Sequence, residues 1–196
     1  MLIQVVHSHP LADSYNHALF QTIVETLKRR HEVIATDLYR EGFFPAMTEA
    51  ERRSYYQGPY AEDAAVARLI ADLRRADGII FCFPHWWFSM PAMLKGYFDR
   101  VWAPGTAFAH DLKGGRIRPL LTNIRTFGVV TSYGSPWWLT RIVMQDPGRK
   151  VLFRALKPMC GAGVRSFYLA HYDMDRSTPA SRAAFVERVR TRIAEV

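Results

Sequence analysis

The sequence predicts an α/β protein built as a doubly wound parallel sheet, five strands covered by helices on both faces. Three observations predict it. Short apolar runs alternate with amphipathic stretches five times between Leu2 and Glu195. Parallel strands need crossover segments, and right-handed crossovers carry the chain over both faces of the sheet. The chain of 196 residues, 49% hydrophobic and 13% aromatic, is the size of one such domain and can fill its core.

Leu2 to Val6 is the first apolar run, and Asn16 to Arg30 sets Leu19, Ile23 and Leu27 on one helical face. Glu32 to Leu38 reads as a second strand. From Glu62 to Ala76, the residues Val66, Leu69, Ile70 and Leu73 form one helical stripe, and Gly78 to Phe83 reads as a buried third strand. Beyond Pro84 the chain turns, and Pro91 opens a helix to Trp102 as a first-turn proline. Thr126 to Ser132 is the fourth strand, Pro147 to Pro158 a further helix, and Val164 to Tyr172 the fifth strand. Thr178 caps the closing helix, Pro179 lies in its first turn, and Phe185, Val189 and Ile193 align as far as Glu195. The segment Glu41 to Tyr60, with Phe43, Phe44, Tyr55, Tyr56 and Tyr60, fits neither period and marks a lid or an interface.

Composition narrows the class. No apolar run approaches the roughly 20 residues of a membrane span and no basic leader precedes the first strand, so no membrane insertion and a cytoplasmic location are expected. Cys82 and Cys160 lie far apart among apolar or small neighbours, and read as reduced packing residues. The net charge of +8 comes largely from arginines scattered along helices, such as Arg29, Arg74 and Arg188, without a basic tract or an RNA-binding aromatic signature. No nucleic-acid partner is expected, although the positive field attracts anionic dinucleotides.

In doubly wound sheets ligands bind beyond the carboxyl ends of the strands, where the winding reverses. After the first strand, His7 to Asn16 lacks both GxGxxG and GxxxxGK. It offers the hydroxyls of Ser8 and Ser14, the amide of Asn16 and the N–H groups of a helix start, which suit a phosphate. Ser14 equally serves as an ordinary N-cap. After the third strand, Pro84, His85, Trp86, Trp87 and Phe88 stand between two prolines that fix the backbone. The amides of residues 85 to 88 can then face one ligand while an indole lies along its plane, as an isoalloxazine requires; the other reading is a core or dimer-interface cluster. After the fourth strand, Thr131, Ser132, Tyr133 and Gly134 lead into Trp137 and Trp138. The three loops share one edge and make a pocket. His7 and His9 form an HxH pair with only Asp13 as a third ligand, so no metal is expected, and His9 and His110 read as surface residues.

These residues carry a family resemblance. Phe83 to Trp102, FPHWWFSMPAMLKGYFDRVW, closely resembles the FPxxWFxxPAxLKGxxDRV segment of the NAD(P)H:quinone oxidoreductases of the flavodoxin-like superfamily, which includes modulator-of-drug-activity proteins and the ancillary reductases of potassium-efflux systems. His7-Ser8 with Ser14-Tyr15-Asn16 is similar to that family's HSxxxSFN element, Asp37-Leu38-Tyr39 with Phe44-Pro45 to its DLYxxxFxP element, and Pro104-Gly105 with Phe108 to a later pocket segment. The resemblance runs through roughly the first 135 residues.

It implies a flavodoxin-like fold with strand order 2-1-3-4-5, a bound flavin (FAD or FMN), NAD(P)H as co-substrate and a quinone-like acceptor served by two-electron, ping-pong hydride transfer. His7, Ser8, Ser14, Tyr15 and Asn16 would hold the flavin phosphate side, Pro84 to Phe88 the isoalloxazine, and Thr131, Ser132, Tyr133 and Gly134 its other edge. Phe108 and Trp137 fall in the substrate pocket. His85 and Tyr133 are the candidates for donating to the acceptor oxygen, or else polar walls. Vertebrate quinone reductases have a double glycine, then a tyrosine and a histidine, near the hydride path. Here Tyr133-Gly134 is followed by Trp137-Trp138 with no histidine before His171, so those two roles do not transfer. The family also implies a homodimer, for which the aromatic segment 43–60, Tyr97 and Trp102 supply a surface. Other functions left open are azo- or nitro-reduction in the same slot, a flavin- or nucleotide-binding regulatory subunit, and an electron-carrier flavodoxin, against which the basic charge argues.

Overall fold

The run Gly78–His85 is apolar without alternation, and a strand of that kind is stable only where both of its faces are covered. In the structure, a computed structural model that describes residues 1–57, 63–110 and 117–196, this strand lies at the centre of the sheet. The elements in chain order are β1 (Leu2–His7), α1 (Tyr15–Leu27), β2 (Glu32–Asp37), α2 (Glu49–Ser54), α3 (Ala64–Arg75), β3 (Gly78–His85) and α4 (Ala92–Val101). There follow β4 (Phe108–His110), β5 (Ile117–Pro119), β6 (Thr126–Tyr133), α5 (Pro147–Lys150), β7 (Arg165–His171) and α6 (Pro179–Ala194).

The main sheet is fully parallel in the order β2-β1-β3-β6-β7. Setting aside the short antiparallel β4–β5 hairpin, this is the expected 2-1-3-4-5. Every position of β3 and β6 is buried. Alternate residues feed two cores: Ile80, Cys82 and Val130 pack with Leu19 and Ile23 of α1 and Phe185 and Val189 of α6, while Ile79, Phe81, Phe83 and Val129 pack with Leu69 and Leu73 of α3 and Leu94 and Val101 of α4. Leu19 is fully buried, and truncating such a leucine to alanine costs about 2–5 kcal/mol. Cys82 and Cys160 are free and buried.

Two central strands outrun their expected ends, and this shapes the site. β3 continues through Pro84 to His85, and β6 reaches Tyr133. Pro84 is tolerated there because pairing with β1 stops at His7 opposite Cys82, so the side where its N–H is missing faces no ladder partner.

The segment expected as a lid or interface is docked on α4, while Tyr97 and Trp102, expected beside it at a dimer surface, are buried in the core. Thr48 and Glu51 form a reciprocal capping box that starts α2. Arg100 of α4, 2% exposed, places its guanidinium 2.6 Å from Glu51 and 2.7 Å from Asp63, donates to the Phe44 carbonyl and lies 5.4 Å from the Phe43 ring centroid. Asp63 also caps α3. A side chain on Gly96 would collide with the backbone of Pro45, so only glycine admits this approach. Burial raises the Glu51 and Asp63 carboxyls, but the Arg100 hydrogen bonds outweigh it and hold both below the usual range. Tyr60 and Glu62 fall outside the described residues.

The helix expected from Pro147 to Pro158 is irregular. Four residues of α5 pass into a π-helix over Val151–Leu156 and a 3₁₀ turn over Lys157–Cys160 that ends at Gly161. Pro158 has no N–H to close an α-helical bond, and Gly161 at φ 84° terminates the turn. A further π-helical stretch, Leu139–Val143, precedes it. Among the described residues no helix is long and apolar enough to cross a membrane.

Candidate functional site

At the carboxyl ends of β1, β3 and β6 the three loops enclose a cavity of about 730 Å³. Ser14, Tyr15 and Asn16 come from the first loop and helix start, Pro84 to Phe88 from the second, and Ser132, Tyr133 and Gly134 from the third. Winding reverses here, between β1 and β3, so these loop ends diverge and leave a crevice.

The second loop is a tight turn. Trp86 and Ser89 exchange backbone hydrogen bonds of 3.0 Å in both directions, with Trp87 at φ 52° and Phe88 at φ 57° between them. Turns of this shape ordinarily take Asn-Gly, and bulky residues in the left-handed region cost about 1–3 kcal/mol each. The turn is anchored by Gly148, whose N–H donates to the Phe88 carbonyl at 3.1 Å. Trp87 is 97% exposed, so its own packing does not compensate. One expectation is corrected: the Trp86 N–H closes the turn, so among amides 85 to 88 it cannot serve a ligand, whereas those of Trp87 and Phe88 lie outside that exchange.

Behind the cavity wall three rings stack. His85 lies 4.0 Å from Tyr133 at 11°, and Tyr133 lies 5.1 Å from Tyr172 at 14°. Thr131 donates its hydroxyl to the Phe83 carbonyl at 2.6 Å, so its oxygen receives the His85 Nδ1 proton at 2.8 Å. The remaining His85 nitrogen, Nε2, then carries a lone pair, and burial lowers the His85 pKa to about 3. The Tyr133 hydroxyl is committed to Asp146 at 2.7 Å and to the Tyr168 hydroxyl at 2.6 Å; burial, then Tyr168, push its pKa far up. Neither candidate donor has a proton to offer the cavity. Both act as walls.

In the first loop, Ser14 accepts from the His17 N–H as an N-cap, and the Asn16 amide donates to Ser132 Oγ at 2.9 Å, tying first loop to third. Asn16 Oδ1 is buried without a partner among the described residues. α1 carries no acidic residue in its first turn, so its positive end is uncompensated. The Tyr15 hydroxyl lies 2.9 Å from His171 Nδ1.

Five expected residues do not line the cavity. His7 and Ser8 are fully buried; the His7 ring stacks 4.8 Å from Phe20, and burial lowers its pKa to about 4. Thr131 lies beneath the wall and orients His85. Phe108 packs against the core from β4, and Trp137 is 53% exposed outside the crevice. The reason is the same for His7 and Thr131: they sit within strands, where successive side chains alternate faces.

Conversely, His9 lines the cavity, its ring 5.8 Å from Trp86, and the side chain of His110 lies outside the described residues. Ser135, Met174 and Asp175 also line it and were not anticipated. Ser135 lay within the inspected loop, but Met174 and Asp175 follow β7, and only the placement of β7 beside β6 brings them in. Asp175 stands so close to Gly134 that a Cβ there would lie 2.9 Å from its carboxylate.

A flat heteroaromatic phosphate ester fits these groups: aromatic walls on the second loop, free N–H donors at its tip, the positive end of α1 for the phosphate, and the unpartnered Asn16 Oδ1 to accept from a hydroxyl or N–H of the same molecule. Fold and crevice together define a flavodoxin-like protein. Residues 1–193 match the family described as having a flavodoxin-like fold, and the chain belongs to that family.

Among relatives, the chain is 35% identical over 119 residues to the uncharacterized NAD(P)H oxidoreductase YcaK of Escherichia coli (strain K12), covering 59% of this chain and 61% of YcaK. It is 34% identical over 122 residues to NAD(P)H dehydrogenase (quinone) 1 of Rattus norvegicus, covering 54% of this chain and 44% of that protein. The chain thus spans about half the length of the relatives it matches. The solved NAD(P)H:quinone oxidoreductase from Methanothermobacter marburgensis superposes with a TM-score of 0.81 at 25% identity, covering 100% of this chain and 95% of that one.

Proposed function

We propose that the chain is a flavin-dependent oxidoreductase that takes two electrons from NAD(P)H and passes them to a quinone-like acceptor in a ping-pong sequence. The observation that carries this reading is the aromatic-walled cavity of about 730 Å³ at the winding reversal. Relatives and a solved neighbour bearing quinone-reductase names support it.

A flavin, FAD or FMN, supplies the two-electron chemistry when bound; the protein supplies orientation and electrostatics. The N–H groups at the start of α1 would hold the phosphate ester, and Asn16 Oδ1 would accept from a hydroxyl or N–H elsewhere on the cofactor. Pro84 and Trp86 would form the apolar wall, with the N–H groups of Trp87 and Phe88 set toward the ring's heteroatoms and Ser132 and Gly134 on the opposite edge. Because the turn already holds the Trp87 and Phe88 N–H groups in place, they would meet a negative charge in the cavity without reorganising. His85 and Tyr133 stay neutral and proton-committed, so the acceptor's protons come from solvent at the cavity mouth.

The proposal takes residues 1–196 as one cytoplasmic domain acting as a homodimer, with the exposed rings of Trp87 and Phe44 covered by the second copy. Light scattering at micromolar concentration checks the dimer, and a monomer removes that part. The central test is an anaerobic visible spectrum of the flavin-reconstituted protein, recorded before and after NADPH or NADH and then after a simple quinone. Bleaching followed by recovery is expected; absence of flavin binding ends the reading.

A further inference from the structure

We propose that Arg141, Arg149, Lys150 and Arg154 form a binding site for a terminal phosphate group, in a pocket separate from the cavity already described. The site does not rest on the flavin reading; one of its two possible sources of phosphate, NADPH, does.

The pocket has a volume of about 340 Å³, and Gln145, Asp146 and Phe153 complete its lining. None of these residues lines the larger cavity. Four cationic side chains meet one carboxylate there, and each cation raises the cost of its neighbours unless an anion joins them. Local strain brings them together. Gln145 and Asp146 take φ 54° and 48°, and this left-handed pair joins the π-helical turn that carries Arg141 to α5, which carries Arg149 and Lys150, and so to the π-helical turn that carries Arg154. Left-handed backbone at residues with side chains and π-helical turns both concentrate at functional sites.

The second observation is an arginine with nothing to bind. The Arg149 guanidinium carbon lies 5.3 Å from the Tyr168 ring centroid and 5.5 Å from that of Phe153, so the rings fix the cation without neutralising it. Its Nε is buried and has no partner among the described residues. Asp146, the one carboxylate at hand, accepts instead from the Tyr133 hydroxyl at 2.7 Å and from the Arg149 backbone N–H at 3.3 Å, with its other oxygen 3.7 Å from Arg141 Nε. Lys150 reaches only the neutral Gln145 carboxamide, at 2.9 Å. Arg154 is exposed and forms no ion pair among the described residues.

Three cations are thus left over around one small volume. A terminal phosphate brings about two negative charges at pH 7 and three acceptor oxygens, and the arginine fork pairs with such oxygens two at a time. A nucleic-acid backbone would need a stripe of cations rather than a single concavity. The pocket adjoins the wall of the larger cavity, because Asp146 holds the Tyr133 hydroxyl and Gly148, next to Arg149, donates to the Phe88 carbonyl. NADPH carries a terminal phosphate on its adenosine ribose that NADH lacks, and inorganic phosphate is the same group alone.

The test is calorimetry on the full chain in phosphate-free, low-salt buffer with FMN in excess, so that a phosphate subsite in the larger cavity is filled beforehand. Inorganic phosphate, adenosine 2′-monophosphate and adenosine are titrated in turn. Saturable binding of one phosphate group per chain is expected, weakened by salt, with none for adenosine. R149Q and, at an exposed position, R154Q should each weaken binding about tenfold or more. R29Q, which removes the same charge from an exposed position beyond α1, should leave it unchanged. Absence of saturable binding overturns the proposal, as do unaltered binding in both pocket variants and an equal loss in R29Q, which assigns the effect to net charge. Tighter binding of adenosine 2′-monophosphate than of phosphate, with the NADPH KM raised in R149Q and the NADH KM kept, assigns the site to the dinucleotide. Equal binding of the two, with both KM values kept, assigns it to free phosphate. A chain that oxidises neither nucleotide removes the flavin reading and the NADPH source together, and the calorimetric arm still decides the site.

Discussion

The two halves of the segment Phe83 to Trp102 solve opposite problems. Its first half, through the Trp86–Ser89 turn, holds bulky residues in the left-handed region and leaves Trp87 97% exposed at a cavity. Its second half buries Arg100 to 2% exposure against Glu51 and Asp63, and uses Gly96 to admit Pro45. The first half stores strain at the mouth of the cavity, and the second anchors the segment that carries Phe43, Pro45 and Glu51. One continuous motif therefore encodes both a site and the support of the fold, and the two parts respond differently to substitution.

The largest expected effect lies in the second half. Arg100→Met leaves Glu51 and Asp63 without their cation and should cost about 3–5 kcal/mol in urea unfolding; a loss under about 1 kcal/mol would mean the network does not hold the segment. The same network predicts acid lability. Carboxyls whose folded pKa is depressed contribute stability that is complete above their unfolded values, near 4, and is lost as pH falls through the folded ones. Urea midpoints should fall below about pH 4 in the parent and less steeply in Arg100→Met.

Tyr133→Phe comes next. It removes the hydroxyl from Asp146 and Tyr168 behind the wall and should cost about 1–3 kcal/mol of stability. Turnover of the flavin-loaded protein should stay within a few-fold, because the hydroxyl donates nothing to the cavity; a collapse of kcat alone would restore it as a catalytic donor. Consistent with this, His85, with its pKa near 3, should give no inflection in the pH–rate profile between pH 5 and 8.

Trp87→Gly reverses the sign. With little packing to lose within its own chain and a left-handed backbone relieved, the stability of the dissociated monomer, measured at nanomolar concentration, should rise by about 1 kcal/mol while flavin affinity, read by fluorescence titration, falls. A stability loss would show that the turn is not strained. The smallest effect is expected for Asp175→Asn, which removes a negative charge at the rim and should tighten an anionic dinucleotide only a few-fold, more at low salt than at high.

Much of this was legible in the chain. Leu19, Ile23 and Leu27, or Val66, Leu69 and Leu73, face the core as their spacing requires, and Thr178 with Pro179 begins α6 as capping rules require. The short and irregular elements proved harder. α2 is six residues of EAERRS, with no apolar period to read, and β4 and β5 are three residues each. The π-helical turns from Leu139 to Leu156 follow no local pattern either.

The sequence by itself determined the alternation of strands and helices, the long Phe83–Trp102 motif and the set of loops that face one edge, because periodicity, capping and proline geometry act over a few residues. Tertiary structure alone decided which side chains meet. It carried His7 and Thr131 beneath the site and brought Asp175 into it from beyond β7. The physical reason is strand register: a residue's face and neighbours depend on how strands distant in sequence align, and no local pattern encodes that alignment.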